Sequence, residues 1–230
     1  MKTWINSPNP YDPSTFEWLI RLAEFPEGEN MEFTIRQFSN AEIWQQYMFF
    51  DLPFKDIEKR DVRVAIPSLR TYGFENDHVQ NIVAAMFKKN DPASQAKARS
   101  YWFKKQHLCV ISPVGEYWEN VAGSVLLMPE SLRKVVESKL FSFEPEDNPF
   151  TTIYQINRIQ RRDGTNEYAV SCRQGRGRAK WTDLKPISLF PPMPTAEMLK
   201  VRMEMFEASI AGEFYDPDKW AKVFPARYVD

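Results

Sequence analysis

The chain has 230 residues, 43% of them hydrophobic and 14% aromatic, enough to bury a proper core in one elaborated domain or two small ones, of which one domain is expected. A formal net charge of −1 rules out a uniformly basic polyanion binder, so any such role must rest on how charge is distributed. The N-terminus (MKTWINSPNPYDP) lacks the apolar core of a secretory signal, and no stretch approaches the length of uninterrupted apolar sequence that a membrane helix needs. A soluble, intracellular protein of the cytoplasm is expected, with no membrane partner.

In chain order, the first thirteen residues carry Pro8, Pro10 and Pro13 and read as an arm lying on the surface. Ser14 and Glu17 have capping-box spacing, and Phe16, Leu19, Ile20 and Ala23 recur at helical intervals, which predicts a helix ending at Pro26. Met31 to Phe38 alternates Met31, Phe33 and Ile35 with Glu32, Thr34 and Arg36 as a half-buried strand does. Two further strands follow, over Ile43 to Phe54 and Arg60 to Pro67. From Ser68 to Ala98 the period becomes helical (Val79, Ile82, Val83, Met86, Phe87), broken by Asn90, Asp91 and Pro92. Strands resume over Gln106 to Val114 and Asn120 to Met128, and Pro129 opens a helix carrying Leu132, Val135, Val136 and Leu140. Tyr154 to Arg162 and Glu167 to Arg173 flank Asp163 and Gly164, a strong hairpin signal. Thr195 caps a helix that runs through Ser209 and stops at Gly212, before an aromatic tail.

These elements predict a mainly β chain with added helices, of α+β class. The expected form is an OB-fold, a five-stranded Greek-key barrel with a helical insertion. Its expected parts are an N-terminal arm and short helix over 1–30, a core over 31–190 with the insertion at about 68–98, and a C-terminal helix and tail over 191–230.

Charge is segregated along the chain. Residues 1–61 hold six Lys and Arg against eleven Asp and Glu, residues 87–107 hold six against one, and residues 151–185 hold eight against three. The two basic blocks contain the runs Ala98 to Cys109 (ARSYWFKKQHLC) and Arg173 to Trp181 (RQGRGRAKW). Cations interleaved with rings suit single-stranded nucleic acid, because the cations meet phosphates and the flat rings meet unstacked bases. The plainer reading is a solvated charged face with no partner. In the first run, Arg99, Lys104 and Lys105 are the candidate phosphate contacts. Tyr101, Trp102 and Phe103 cannot all face one way on a strand, so one or two would stack bases while the others enter the core. On the predicted hairpin, Tyr154, Ile156, Arg158, Gln160 and Arg162 share the face expected to bind, extended across the turn by Tyr168 and Arg173. Gly175 and Gly177 would bring Arg176, Arg178, Lys180 and Trp181 close to a backbone, although Gly-Arg loops are as often merely solvated.

The passages SYWFKKQHLCVISP (100–113), MPESLRKVVESKL (128–140) and PTAEMLKVRMEMFEASIAGEFYDPDKW (194–220) occur in an order that resembles the T-even-phage-type single-stranded DNA-binding proteins. The resemblance implies an OB-fold that coats intermediates of DNA replication, recombination or repair without sequence preference, and replication enzymes as further partners. Such proteins often carry a zinc-binding insertion, a basic N-terminal arm and an acidic tail. Here the insertion lacks cysteines, the first fifteen residues contain only Lys2 among cations, and the sequence ends VFPARYVD.

Two cysteines, Cys109 and Cys172, and two histidines, His78 and His107, offer no zinc-finger spacing, and no metal or other cofactor is expected. Phosphate-binding, dinucleotide, metalloprotease and serine-hydrolase motifs are missing, and the Pro-flanked carboxylates Glu144, Glu146 and Asp147 read as a solvated loop. The expectation is a non-catalytic binder whose principal partner is single-stranded DNA, with duplex DNA or RNA also suited to the basic loop. The alternative is a structural or adaptor protein that uses its aromatic surface for protein interaction.

Overall fold

The computed structural model describes residues 9–12, 19–21, 30–35, 44–114, 125–140, 152–173 and 191–229. The chain is α+β and divides into two compact units, each assembled from separated segments. Unit 1 comprises Met1, Glu17–Gln46 and Gln106–Leu189; unit 2 comprises Lys2–Phe16, Tyr47–Lys105 and Phe190–Asp230. Among the described residues, no helix is long and apolar enough to cross a membrane.

Unit 1 contains β1 (Leu19–Arg21), β2 (Asn30–Ile35), most of β5 (Lys104–Val114), β6 (Val125–Met128), α3 (Glu130–Leu140), β7 (Ile153–Gln160) and β8 (Asn166–Arg173). β8, β7, β2, β5 and β6 pair antiparallel in that order, and β1 adds to β6 in parallel. Alternation along β2 puts Met31, Phe33 and Ile35 inward, where they meet Cys109 and Ile111 of β5, Leu126 and Met128 of β6, Leu132 and Val136 of α3, and Tyr154 and Ile156 of β7. One expectation changes here. Leu19–Arg21 is a strand rather than part of a helix, because Leu19, Ile20 and Arg21 pair with Val125, Leu126 and Leu127. Closure into the expected barrel is not shown by the described strands, since β8 pairs only with β7 and β1 only with β6 among them.

The hairpin follows its turn chemistry. Arg161 N–H donates to Thr165 O at 2.8 Å, Gly164 N–H donates to Arg161 O at 2.9 Å, and Gly164 takes the φ of 79° that a side chain disfavours.

Unit 2 contains most of β3 (Trp44–Lys55), β4 (Asp61–Pro67), the helical hairpin α1 (His78–Lys88) and α2 (Pro92–Ser100), α4 (Ala196–Ala211), the single turn α5 (Pro217–Trp220) and β9 (Arg227–Tyr228). β4 lies between β3 and β9, antiparallel to both. Its core joins Phe50, Leu52 and Phe54 of β3 to Val62, Val64 and Ile66 of β4, Val79 and Val83 of α1, Met205 and Phe206 of α4, and Trp220 and Phe224. Thr195 caps α4 by accepting from Met198 N–H, and Gly212 ends it in the left-handed conformation.

Arg202 of α4 is 2% exposed, and its burial is tolerated because its charge is paired and hydrogen-bonded. Its guanidinium donates to Pro67 O at 2.8 Å and to Asp77 at 2.6 Å, and lies 5.6 Å from the Phe50 ring centre. Asp77 in turn caps α1 through Val79 N–H and accepts from Ser68 Oγ and Leu69 N–H. The expected surface arm is also corrected over residues 9–12, which are held by burial and by polar contacts. Tyr11 is fully buried, Asn9 Nδ2 donates to Ala65 O at 3.2 Å, and Asp12 pairs with Arg227 at 2.9 Å.

Candidate nucleic-acid interface

The helical insertion between β4 and β5 arranges part of the first basic-aromatic run. Asp77 caps α1, and Asp91 caps α2 by accepting from Ser94 N–H at 2.7 Å, with Pro92 filling the first helical turn. The two helices pack so that the last turn of α1 (Phe87, Lys88) and the last turn of α2 (Arg99) border one recess, together with Ala84 and Trp102. The recess holds about 560 Å³ and is open to solvent.

Tyr101 fixes the chain leaving α2. It is 3% exposed, its hydroxyl donates to Ser209 O at 2.7 Å, and its ring sits edge-on to Phe206 at 5.8 Å. Tyr101 is therefore removed from the candidate base-stacking residues: it belongs to the core, and that burial pushes its phenol pKa up. With Tyr101 turned inward, Trp102 turns outward and keeps 39% of its surface exposed. Trp102 meets Phe87 edge-on at 5.1 Å and leans on Phe103 at 4.9 Å, so the indole is braced. Phe103 is half-buried against Phe50, and Lys105 Nζ lies 5.6 Å from the Phe103 ring centre.

The cations divide into two groups. Lys104 meets the buried carboxylate of Asp51 at 2.6 Å, and Asp51 is also held by Arg227 at 2.8 Å. Lys88, Arg99 and Lys105 form no ion pair among the described residues. The recess thus has an exposed indole and two cations on its rim, with a third cation close to Phe103.

The hairpin β7–β8 turns out differently. Tyr154 is fully buried and stacked on Phe33 at 5.7 Å, which pushes its phenol far above the ordinary range, so it cannot stack on a base. The face expected to bind, that of Tyr154 and Ile156, is the core face of unit 1, because the inward alternation of β2 continues in register through Phe33 opposite Tyr154. Tyr168 is half-buried against the same core. Arg158 lies opposite Tyr168, half-buried, with Nη1 donating weakly to Asn166 at 3.4 Å. Arg162 is exposed at the turn. Arg173 is engaged by Glu32 at 2.7 Å, and the hydrogen bond from Arg173 lowers the pKa of the Glu32 carboxyl. Arg176, Arg178, Lys180 and Trp181 lie outside the described residues.

Phe87 and Lys88 line the recess although neither is among the candidate site residues that the sequence pattern singles out. Phe87 fitted the apolar stripe of α1, and the available signal was the charge excess of residues 87–107, which begins with it. Among the described residues, no three His, Cys, Asp or Glu side chains are grouped to hold a metal ion, and burial pushes the Cys109 thiol far up. No protein-family model matches the chain, and no curated protein matches it either.

Proposed function

We propose that this protein is a non-catalytic, sequence-independent single-stranded DNA-binding protein of the phage replication, recombination and repair type, and that the α1–α2 recess is where it engages the strand. The observation that carries the reading is the braced, solvent-facing Trp102, with Lys88, Arg99 and Lys105 nearby forming no ion pair among the described residues while Lys104 is neutralised internally. A base stacks on the indole, and the cations take the flanking phosphates. Any base offers a π-face, so little sequence preference is expected. An OB-type scaffold belongs to the same proposal, supported by five antiparallel strands in unit 1 and by helices inserted between β4 and β5.

A second reading is favoured by one observation: the recess, lined by Ala84, Phe87, Lys88, Arg99 and Trp102, is mainly apolar, which also suits an apolar anchor of a protein partner. Tryptophan fluorescence titrated with oligo(dT) of about thirty nucleotides, at low and moderate salt and against a duplex control, separates the two. Quenching that fades as salt rises and is weaker with duplex supports the single-strand reading. No response at low salt removes it and leaves the protein-interaction reading.

A further inference from the structure

We propose that the edge of β8 that no described strand pairs with is a self-association surface on which a second copy of this chain adds its own β8 antiparallel, extending the sheet across a two-fold axis. β8 is a regular eight-residue strand paired on one side only among the described residues, and its register with β7 runs unbroken from Asn166 to Arg173. Edge strands are usually blunted by Pro, Lys or a bulge, and NEYAVSCR has none of these.

The ladder itself shows which groups face outward. Arg161 N–H bonds to Thr165 O, so Arg161 and Thr165 are a hydrogen-bonded pair. Stepping by two along the register makes Ile159 with Glu167, Asn157 with Ala169, Gln155 with Ser171, and Ile153 with Arg173 the further bonded pairs. The N–H and C=O groups of Tyr168, Val170 and Cys172 therefore point to that edge. In a two-fold antiparallel arrangement centred on Val170, those groups meet their own kind: Val170 pairs with Val170 of the second copy, and Tyr168 with its Cys172.

Charge selects this register among those with matching backbone groups. It places Glu167 opposite Arg173 of the second copy, in a non-hydrogen-bonded pair where side chains approach most closely. Glu167 already holds Arg161 at 3.0 Å, and Arg173 already holds Glu32 at 2.7 Å. Joining them gives an alternating row, Arg161, Glu167, Arg173 of the second copy and its Glu32, which occurs twice by symmetry. Between these rows only Ala169 and Ser171 face each other, both small and exposed. An isologous surface needs such self-complementarity.

Light scattering of the full chain over a concentration series tests the proposal, with a dimer of twice 27.1 kDa as the expected species. Val170→Pro removes the two bonds on the axis and spares the β7 ladder, and should weaken dimerisation about tenfold or more. The double variant Ala169→Cys with Ser171→Cys should cross-link into dimers on oxidation, because these positions face each other at disulfide range, whereas Ala169→Cys alone should not. Glu167→Arg should weaken the dimer, and adding Arg173→Glu should restore it. A chain that stays monomeric at every concentration overturns the proposal. So does a dimer that survives Val170→Pro undiminished, or one that the paired cysteines fail to cross-link.

Discussion

The helical hairpin α1–α2 with the residues that follow it and the strand hairpin β7–β8 both combine cations with rings in the sequence, yet among the described residues only the first leaves a large ring, Trp102, exposed beside cations without an ion pair. A strand in a sheet covered on one face commits every second residue to the core. Tyr154 and Tyr168 fall on those positions and are spent on packing. A residue just past a helix end is under no such rule: once Tyr101 is turned inward to reach Ser209, Trp102 must face outward. Ion pairing sorts the cations in the same sense, since Arg173 has Glu32 within reach while Arg99 and Lys105 have no carboxylate partner among the described residues.

This contrast can be broken most forcefully at the two aromatic positions. Tyr154→Ala should destabilise the fold by about 3–5 kcal/mol in urea unfolding, as expected for a large buried ring lost from a core. Trp102→Ala should leave that unfolding transition nearly in place and cost about 1–3 kcal/mol of oligo(dT) affinity. If both substitutions change only stability, the recess is packing and nothing more. A finer comparison uses salt. Arg99→Ala and Lys105→Ala should each flatten the dependence of log affinity on log salt by about 0.7, whereas Arg173→Ala should leave that slope unchanged. The smallest effect concerns pH. Arg133, with His107 beside it, holds the Glu130 carboxyl down at about 2, so its contribution is full above an ordinary carboxylate value of 4.5 and is lost as pH falls from there towards 2. Glu130→Gln should therefore reduce the loss of urea resistance between pH 5 and pH 3, modestly, because Glu130 is 42% exposed.

Local chemistry was legible in the sequence. The Asp163-Gly164 turn, the Thr195 cap, the Gly212 stop and the inward set of β2 all follow from rules that act within a few residues. What was not legible depended on distant partners. Leu19 to Arg21 reads as helix until Val125 to Leu127 supplies a strand beside it. Lys104 reads as a free cation until Asp51 appears 53 positions away, and Arg173 does so until Glu32 appears 141 positions away. Tyrosine adds its own ambiguity, since the ring that fills a core is the ring that stacks on a base. The candidate site is legible only as a neighbourhood, in the charge excess of residues 87–107. Its members were then sorted by packing that the pattern of residues does not encode.

The make-up of unit 2 bears on how the chain must be synthesised. Ser209 Oγ bonds to Pro53 O across 156 positions, and Arg227 reaches Asp12 across 215. A ribosome delivers Phe50, Leu52 and Phe54 long before the α4 residues that cover them, and Asp51 long before Arg227. Until α4 and residue 227 have emerged, the nascent chain carries this apolar sheet without the helix that packs on it, so unit 2 is completed only after they are made and needs protection from aggregation until then.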